Sequence, residues 1–262
     1  MKRMSRFLPT SLRPRGEAEE HYEMVHHRFA MRMFRDHVPS VTRYVTNHAV
    51  AQYDLNGTFR LRPTDAWRFI VLEFDEPAAD ADGDAGDGAT GRAADKGGKE
   101  WLPAWAEHAI VTDHTNFLRE VRPFEVTPTI AVDRRSGQTS LAKYLVEVED
   151  TGAGPQAAAK ARDAVREAFA VAAPDAFGLR LHIANDVVRE AEMAAVNEPG
   201  QAYTGRYRDR TDMYAIDELY FDHTVWGEEF FAAPAVRPAL VPRTGVRVAV
   251  YAVTELVGVD RS

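Results

Sequence analysis

The sequence predicts an α+β fold in which two copies of one β-α-β-β-α-β unit close an antiparallel barrel within a single chain. Three observations predict it. The hydrophobic period switches between two and 3.6 residues in an order that occurs twice along the 262 residues. Short passages also match between the halves: Tyr44 to Val50 (YVTNHAV) lies over His182 to Val188 (HIANDVV), and Leu72 to Asp75 (LEFD) over Leu219 to Asp222 (LYFD), at offsets of 138 and 147 residues. Finally, such a unit covers only one face of its sheet with helices, so two units in one chain can bury their bare faces against each other.

The elements follow in order. Ser5 to Leu12 reads as a first strand, and Glu17 to His37 as a helix with Tyr22, Val25, Phe29 and Met33 on one stripe, stopped by Pro39. Val41 to Asp54 and Trp67 to Asp75 are rich in β-branched and aromatic residues and read as strands. Trp101 to Val121 has helical spacing with a break near Asp113, and Phe124 to Asp133 returns to strand. The second half repeats this with strand Ser140 to Glu149, an Ala-rich helix Gln156 to Ala173 closed by Pro174, strands Gly178 to Val188 and Met213 to Asp222, a short helix His223 to Ala232, and a last strand Thr244 to Leu256. Residues 1–135 and 136–262 are thus expected as two ferredoxin-like units. The turn-length Arg134 to Gln138 between them favours one body over two tethered ones.

Composition narrows the classes. With 45% hydrophobic residues and 26 aromatic rings the chain can build a core, and with no Cys it has neither disulfides nor thiol chemistry. Absence of an 18-residue apolar window or a signal-peptide core predicts no membrane partner and a cytoplasmic location. A net charge of −8 argues against nucleic acid. Half of that charge falls in Glu76 to Glu100, which has seven acids, three bases and six Gly, and reads as a flexible acidic insertion. No G-x-S-x-G, P-loop or G-x-G-x-x-G pattern is present, so serine hydrolase, NTPase and Rossmann readings are weak.

Candidate chemistry rests on histidines. Strand alternation puts Tyr44 and His48 on one face, where an imidazole and a phenol can move a proton at a carbon beside a carbonyl. On the first helix His26 flanks the apolar stripe and His27 points further round, so either can complete a pocket over that strand. His182 and Asp186 occupy the matching places in the second half, and Glu218 and Tyr220 share a face of the Met213 to Asp222 strand; these four are expected to contact substrate. Glu218, if inward, is expected as a buried carboxylate with a raised pKa. His21, His37, His108 and His114 read as surface positions, and Arg206, Arg208 and Arg210 with Tyr203 and Tyr207 as a solvated loop. No element carries His at metal-ligand spacing, and no metal site is expected.

His26-His27, Pro39, Arg43-Tyr44-Val45 and Asn47-His48 resemble the helix-to-strand passage of EthD-type proteins of the dimeric α+β barrel superfamily, as Leu219-Tyr220-Phe221-Asp222 resembles a later passage of that family. The chain departs from the pattern in its adjacent histidines, in Ser40 where a glycine is usual, and in Asp186 opposite His48. The resemblance implies a small enzyme working without metal or organic cofactor: a lyase or cyclase performing dehydration, decarboxylation or ring closure on a hydrophobic aromatic or polyketide-like carbonyl compound. His48 and His26 would be its acid–base groups and Tyr44 the donor to an enolate. The alternatives are a cofactor-free monooxygenase of the same fold and a non-catalytic binding protein. A chain carrying both halves can work as a monomer or a homodimer.

Overall fold

Along each strand, side chains alternate between a layer under the helices and a second layer inside a closed sheet, and this alternation places the strand residues described below. The computed structural model describes residues 1–75, 104–137, 140–193 and 203–261. In chain order the elements are β1 (Lys2–Pro9), α1 (Arg15–His21), a π-helical turn (Tyr22–His26), α2 (His27–His37), β2 (Val41–Tyr53), β3 (Leu61–Arg62), β4 (Arg68–Phe74), α3 (Ala104–His114) and β5 (Leu118–Asp133). They continue with β6 (Ala142–Asp150), α4 (Pro155–Ala172), β7 (Leu179–Met193), β8 (Tyr203–Tyr207), β9 (Met213–Phe221), α5 (Thr224–Ala232), α6 (Arg237–Leu240) and β10 (Val246–Asp260).

Eight strands pair antiparallel in the order β10-β6-β9-β7-β5-β1-β4-β2, and β10 pairs back onto β2 to close an α+β barrel. The short β3 and β8 hang on β2 and β7. The seams between the halves are β5 on β7 and β2 on β10. Within 1–133 the four barrel strands lie fourth, first, third, second in sheet order, and those within 142–260 do the same.

Several boundaries differ from expectation. β1 starts at Lys2 and ends at Pro9 because its basic residues find acidic partners inside the barrel, so polarity does not delay the strand. The helix expected over Trp101 to Val121 ends at His114; Phe117 turns back by an N–H bond to the His114 carbonyl, and β5 begins at Leu118. Tyr203 to Tyr207 is a strand, not a loop, and the basic residues after it are ion-paired: Arg208 sits 3.1 Å from Glu190 and Arg210 3.1 Å from Asp150. The acidic segment Glu76 to Glu100 lies outside the described residues.

The helices cover the outer face of the sheet. Helix α4 starts at Pro155 after Gly154, whose φ of 91° suits glycine, and buries Ala158, Ala161, Val165 and Phe169 on Tyr144, Val146 and Val148 of β6. Each large side chain so buried stabilises the fold by roughly 1.5–3 kcal/mol. Helices α1 and α2 and the turn between them bury Ala18, Tyr22, Ala30, Met33 and Phe34 against β2 and β4, with Phe117 closing one side. Inside the barrel, Met4, Val45, Phe69, Phe124, Leu145 and Ile216 fill the middle. Lys2, Lys143 and Glu218 occupy one end, and Arg6, Arg122, Arg247, Glu147 and Glu149 the other. With the middle of the lumen filled, the other layer of side chains is the one between the sheet and its helices. Among the described residues, no helix is long and apolar enough to cross a membrane.

Candidate functional site

Between the first long helix and β2 and β4 lies a cluster of imidazoles, phenols and one guanidinium. The π turn creates it. The His27 N–H bonds back to the Tyr22 carbonyl, five residues earlier, which widens the turn at Tyr22–His26. In a regular α-helix adjacent residues diverge by about 100°, so two neighbouring rings share one buried face only at its edges. Here both His26 and His27 are buried, at 5% and 9% exposure.

The two rings have different partners. His26 Nδ1 lies 2.8 Å from Asp113 Oδ2, and His21 Nε2 lies 2.6 Å from the other oxygen of the same carboxylate. Burial alone would raise the Asp113 pKa, but the two imidazole hydrogen bonds outweigh it and hold the group at about 2, so the carboxylate is ionised and accepts from both rings. Burial lowers the His26 pKa, partly opposed by Asp113, and its neutral form carries the proton on Nδ1. His27 Nδ1 instead meets Tyr44 Oη at 3.2 Å, and Tyr44 Oη lies 3.4 Å from Tyr22 Oη. Burial, with nearby Arg68 and His26, brings the His27 pKa down to about 4. Burial raises both phenols, Tyr22 to about 12 and Tyr44 well above its ordinary value, so both stay protonated.

Arg68 completes the cluster. It is fully buried, its guanidinium carbon sits 4.2 Å from the centre of the Tyr22 ring and 5.2 Å from that of Trp67, and Nη2 bonds Glu23 at 3.0 Å. Its Nε and Nη1 are buried and donate to nothing among the described residues. A buried cation with unused donors is costly unless an anion or polar ligand meets it. The Tyr22 ring ties the set together, within 5.3 Å of the His26 ring and 6.2 Å of the His27 ring. Trp67, Phe117 and Ile110 supply apolar walls.

Tyr44 and His48 share the helix-facing side of β2, as alternation predicts, yet four strand residues separate them by about 13 Å. His48 therefore stands at the far edge of the cluster, 23% exposed and 3.5 Å from Glu19, opposite Arg68 in the β2–β4 register. Burial and Arg68 lower its pKa against the pull of Glu19.

The second-half residues are not brought together. His182 is buried against Phe169, with Nε2 3.3 Å from Asp217, and Asp186 is held by Arg162 at 3.1 Å and Arg166 at 2.7 Å, all on the helix side. Glu218 and Tyr220 lie on the opposite face, inside the barrel. The raised pKa expected for Glu218 is corrected: burial works in that direction, but Lys143 at 2.7 Å and Lys2 outweigh it and hold the carboxyl well below its ordinary value. Tyr220 donates to Glu255 at 3.1 Å and borders a small 230 Å³ pocket at that barrel end with Arg43.

His114 and His21 correct the reading of both as surface residues. His114 is buried with its ring 5.1 Å from that of His26, and burial pushes its pKa well down; His21 is half-buried on Asp113. Asp113, Arg68 and Tyr22 escaped the sequence reading. One signal was available: alternation puts Arg68 on the same face as Ile70 and Leu72, and a charge in a core position marks a site or an ion pair.

No family profile and no curated protein matches the sequence. Among solved structures, an anthrone oxidase-like protein aligns with 11% identity and a TM-score of 0.53, covering 100% of this chain and 94% of its own. Candidate monooxygenases from Lactobacillus acidophilus and Fusobacterium nucleatum align at 10% and 9% identity with TM-scores of 0.46 and 0.45, covering 100% and 96% of this chain and 96% and 91% of theirs. At such identities the first likeness shows a shared fold, the α+β barrel.

Proposed function

We propose that the buried cluster between helices and sheet in the first half forms the cleft of an acid–base enzyme that takes a proton from a carbon beside an aromatic or polyketide-like carbonyl. The observation that carries this reading is the His26–Asp113 pair at 2.8 Å. A carboxylate on Nδ1 fixes the tautomer, leaves the Nε2 lone pair as base and stabilises the imidazolium once the proton arrives. Arg68, with its Nε and Nη1 donors unused, is the natural group to donate to the enolate oxygen and balance its charge. The neutral His27 bonded to Tyr44 supplies a second proton-handling pair, and His48 with Glu19 a third at the edge. His182, bonded to Asp217, and Asp186, held by Arg162 and Arg166, take no part.

In the lyase or cyclase reading the electron pair freed from the C–H bond forms a new C=C or C–C bond. In dehydration a hydroxyl departs as water with a proton returned by the imidazolium. A second reading is supported by the anthrone oxidase-like neighbour: the carbanion gives its electrons to dioxygen, one oxygen atom becomes the new carbonyl of a former CH₂ and the other leaves as water. Both begin with the same proton abstraction. We read the halves as two copies of one ferredoxin-like unit of the EthD type, on the strength of their common strand order.

Anthrone and a β-hydroxyketone, each followed with and without oxygen, test the reading. Turnover that falls by about 10²-fold or more in His26→Ala and Asp113→Asn supports it. Full activity in both variants overturns it, and dependence on oxygen decides between the two outcomes.

A further inference from the structure

At the end of the barrel where Arg6 and Arg247 lie, the lumen opens into a cavity of about 750 Å³ that shares no lining residue with the His26–Asp113 cluster of the proposed cleft. Its floor is a network of paired charges. Arg247 bonds Glu147 and Glu149, each at 2.7 Å, Arg6 reaches the same two acids at 3.3–3.5 Å, and Arg122 adds a bond to Glu149 at 2.9 Å. Tyr251 Oη donates to Glu147 at 3.3 Å. The carboxylate oxygens on this floor are therefore already occupied by donors of the protein itself.

The walls are different. Arg62 from β3 and Arg119 from β5 both line the cavity, both are exposed, and neither has a hydrogen-bond or ion-pair partner among the described residues. Arg6 Nε is buried and donates to nothing there. The Gln52 oxygen already accepts from Thr64 Oγ1 at 3.2 Å, leaving that amide's NH₂ as a further donor. Against these donors stands one uncommitted acid on the wall, Asp65. A cavity whose acceptors are satisfied internally and whose donors are not selects a ligand rich in acceptors, and paired guanidinium groups bind planar or tetrahedral oxyanions in preference to neutral polar groups.

We propose that this barrel mouth is a second binding site, for a small organic anion that presents a carboxylate or phosphate group to Arg62 and Arg119. The site is walled by the Pro63–Ala66 segment, which Arg15 pins through bonds to the Thr64 and Ala66 carbonyls at 2.9 and 3.2 Å. The segment that follows Arg62 is thus supported, and it runs directly into Trp67 and Arg68.

The test is calorimetric titration of the full chain with phenyl phosphate, benzoate and inorganic phosphate. Binding of at least one, weakened about tenfold by Arg62→Gln and again by Arg119→Gln with the melting temperature unchanged, is the expected result. Preference for phenyl phosphate or for benzoate identifies which oxyanion the site takes, and either supports the proposal. An Arg68→Met variant must still bind, which separates this site from the cleft whether or not the catalytic reading holds. No binding of any probe up to about 10 mM, or equal binding by the Arg62→Gln/Arg119→Gln double variant, overturns it.

Discussion

Asp113 holds two histidines of one helix at once, His26 Nδ1 at 2.8 Å and His21 Nε2 at 2.6 Å, and so fastens the end of α3 to the turns that carry the candidate base. Its carboxyl is held near 2, below the ordinary 3.8, so the stability it adds is full above about pH 4 and is lost as pH falls toward 2. Asp113→Asn should cost about 1–2 kcal/mol at neutral pH, seen as a melting temperature lower by a few degrees in circular dichroism. An unchanged melting temperature would show that the two bonds do no structural work.

His27 offers a different pH signature. Its pKa of about 4 lies below the ordinary 6.5, so the fold favours the neutral ring; that contribution is complete above about pH 6.5 and is lost as pH falls toward 4. Urea unfolding of the wild type at several pH values should show stability rising across this window. The slope should flatten in His27→Gln, which cannot be protonated. Equal slopes would exclude His27 as the source.

Gly258 of β10 passes directly under the phenol that His27 contacts. A Cβ there would lie 2.7 Å from the Tyr44 ring and 2.8 Å from Met31. Gly258→Ala is expected to cost about 1–3 kcal/mol by overpacking and to shift the Tyr44 hydroxyl, lowering turnover more than Gly245→Ala, which lies remote from the cleft. Chemical denaturation and initial rates on the two variants check both statements.

Inside the barrel, Glu218 is balanced by Lys2 and Lys143. Lys143→Met removes one cation from a buried cluster and is predicted to destabilise by about 3–5 kcal/mol, while Lys143→Met/Glu218→Gln recovers part of the loss. A double-mutant cycle in urea, with Glu218→Gln as the second single variant, measures the difference; a loss in the double variant equal to the sum of the two single losses would refute the coupling.

The barrel was legible in the sequence because β2, β4, β6 and β9 carry strong β-branched and aromatic runs and because the order of elements repeats. Much of the cleft was not. The π turn that turns both His26 and His27 inward is an i to i+5 hydrogen bond with no composition of its own. Asp113 and His114 sit where a helical pattern fades, and only the fold of α3 over α1 brings them to His26. Arg68 was visible as a charge on an apolar face, whereas the cations around Glu218 come from β1 and β6, far apart in sequence.

The two charged ends of the lumen also govern how the molecule comes apart. Lys2 and Arg6 belong to the first half, and their partners Glu218, Glu147 and Glu149 to the second. The first half alone would expose a sheet face on which Lys2, Arg6 and Arg122 had lost these acids, and the second would keep only Arg247 and Lys143 to offset Glu147, Glu149 and Glu218. The chain should therefore unfold in one cooperative step, and the separated halves, co-expressed, should recover structure only by finding each other.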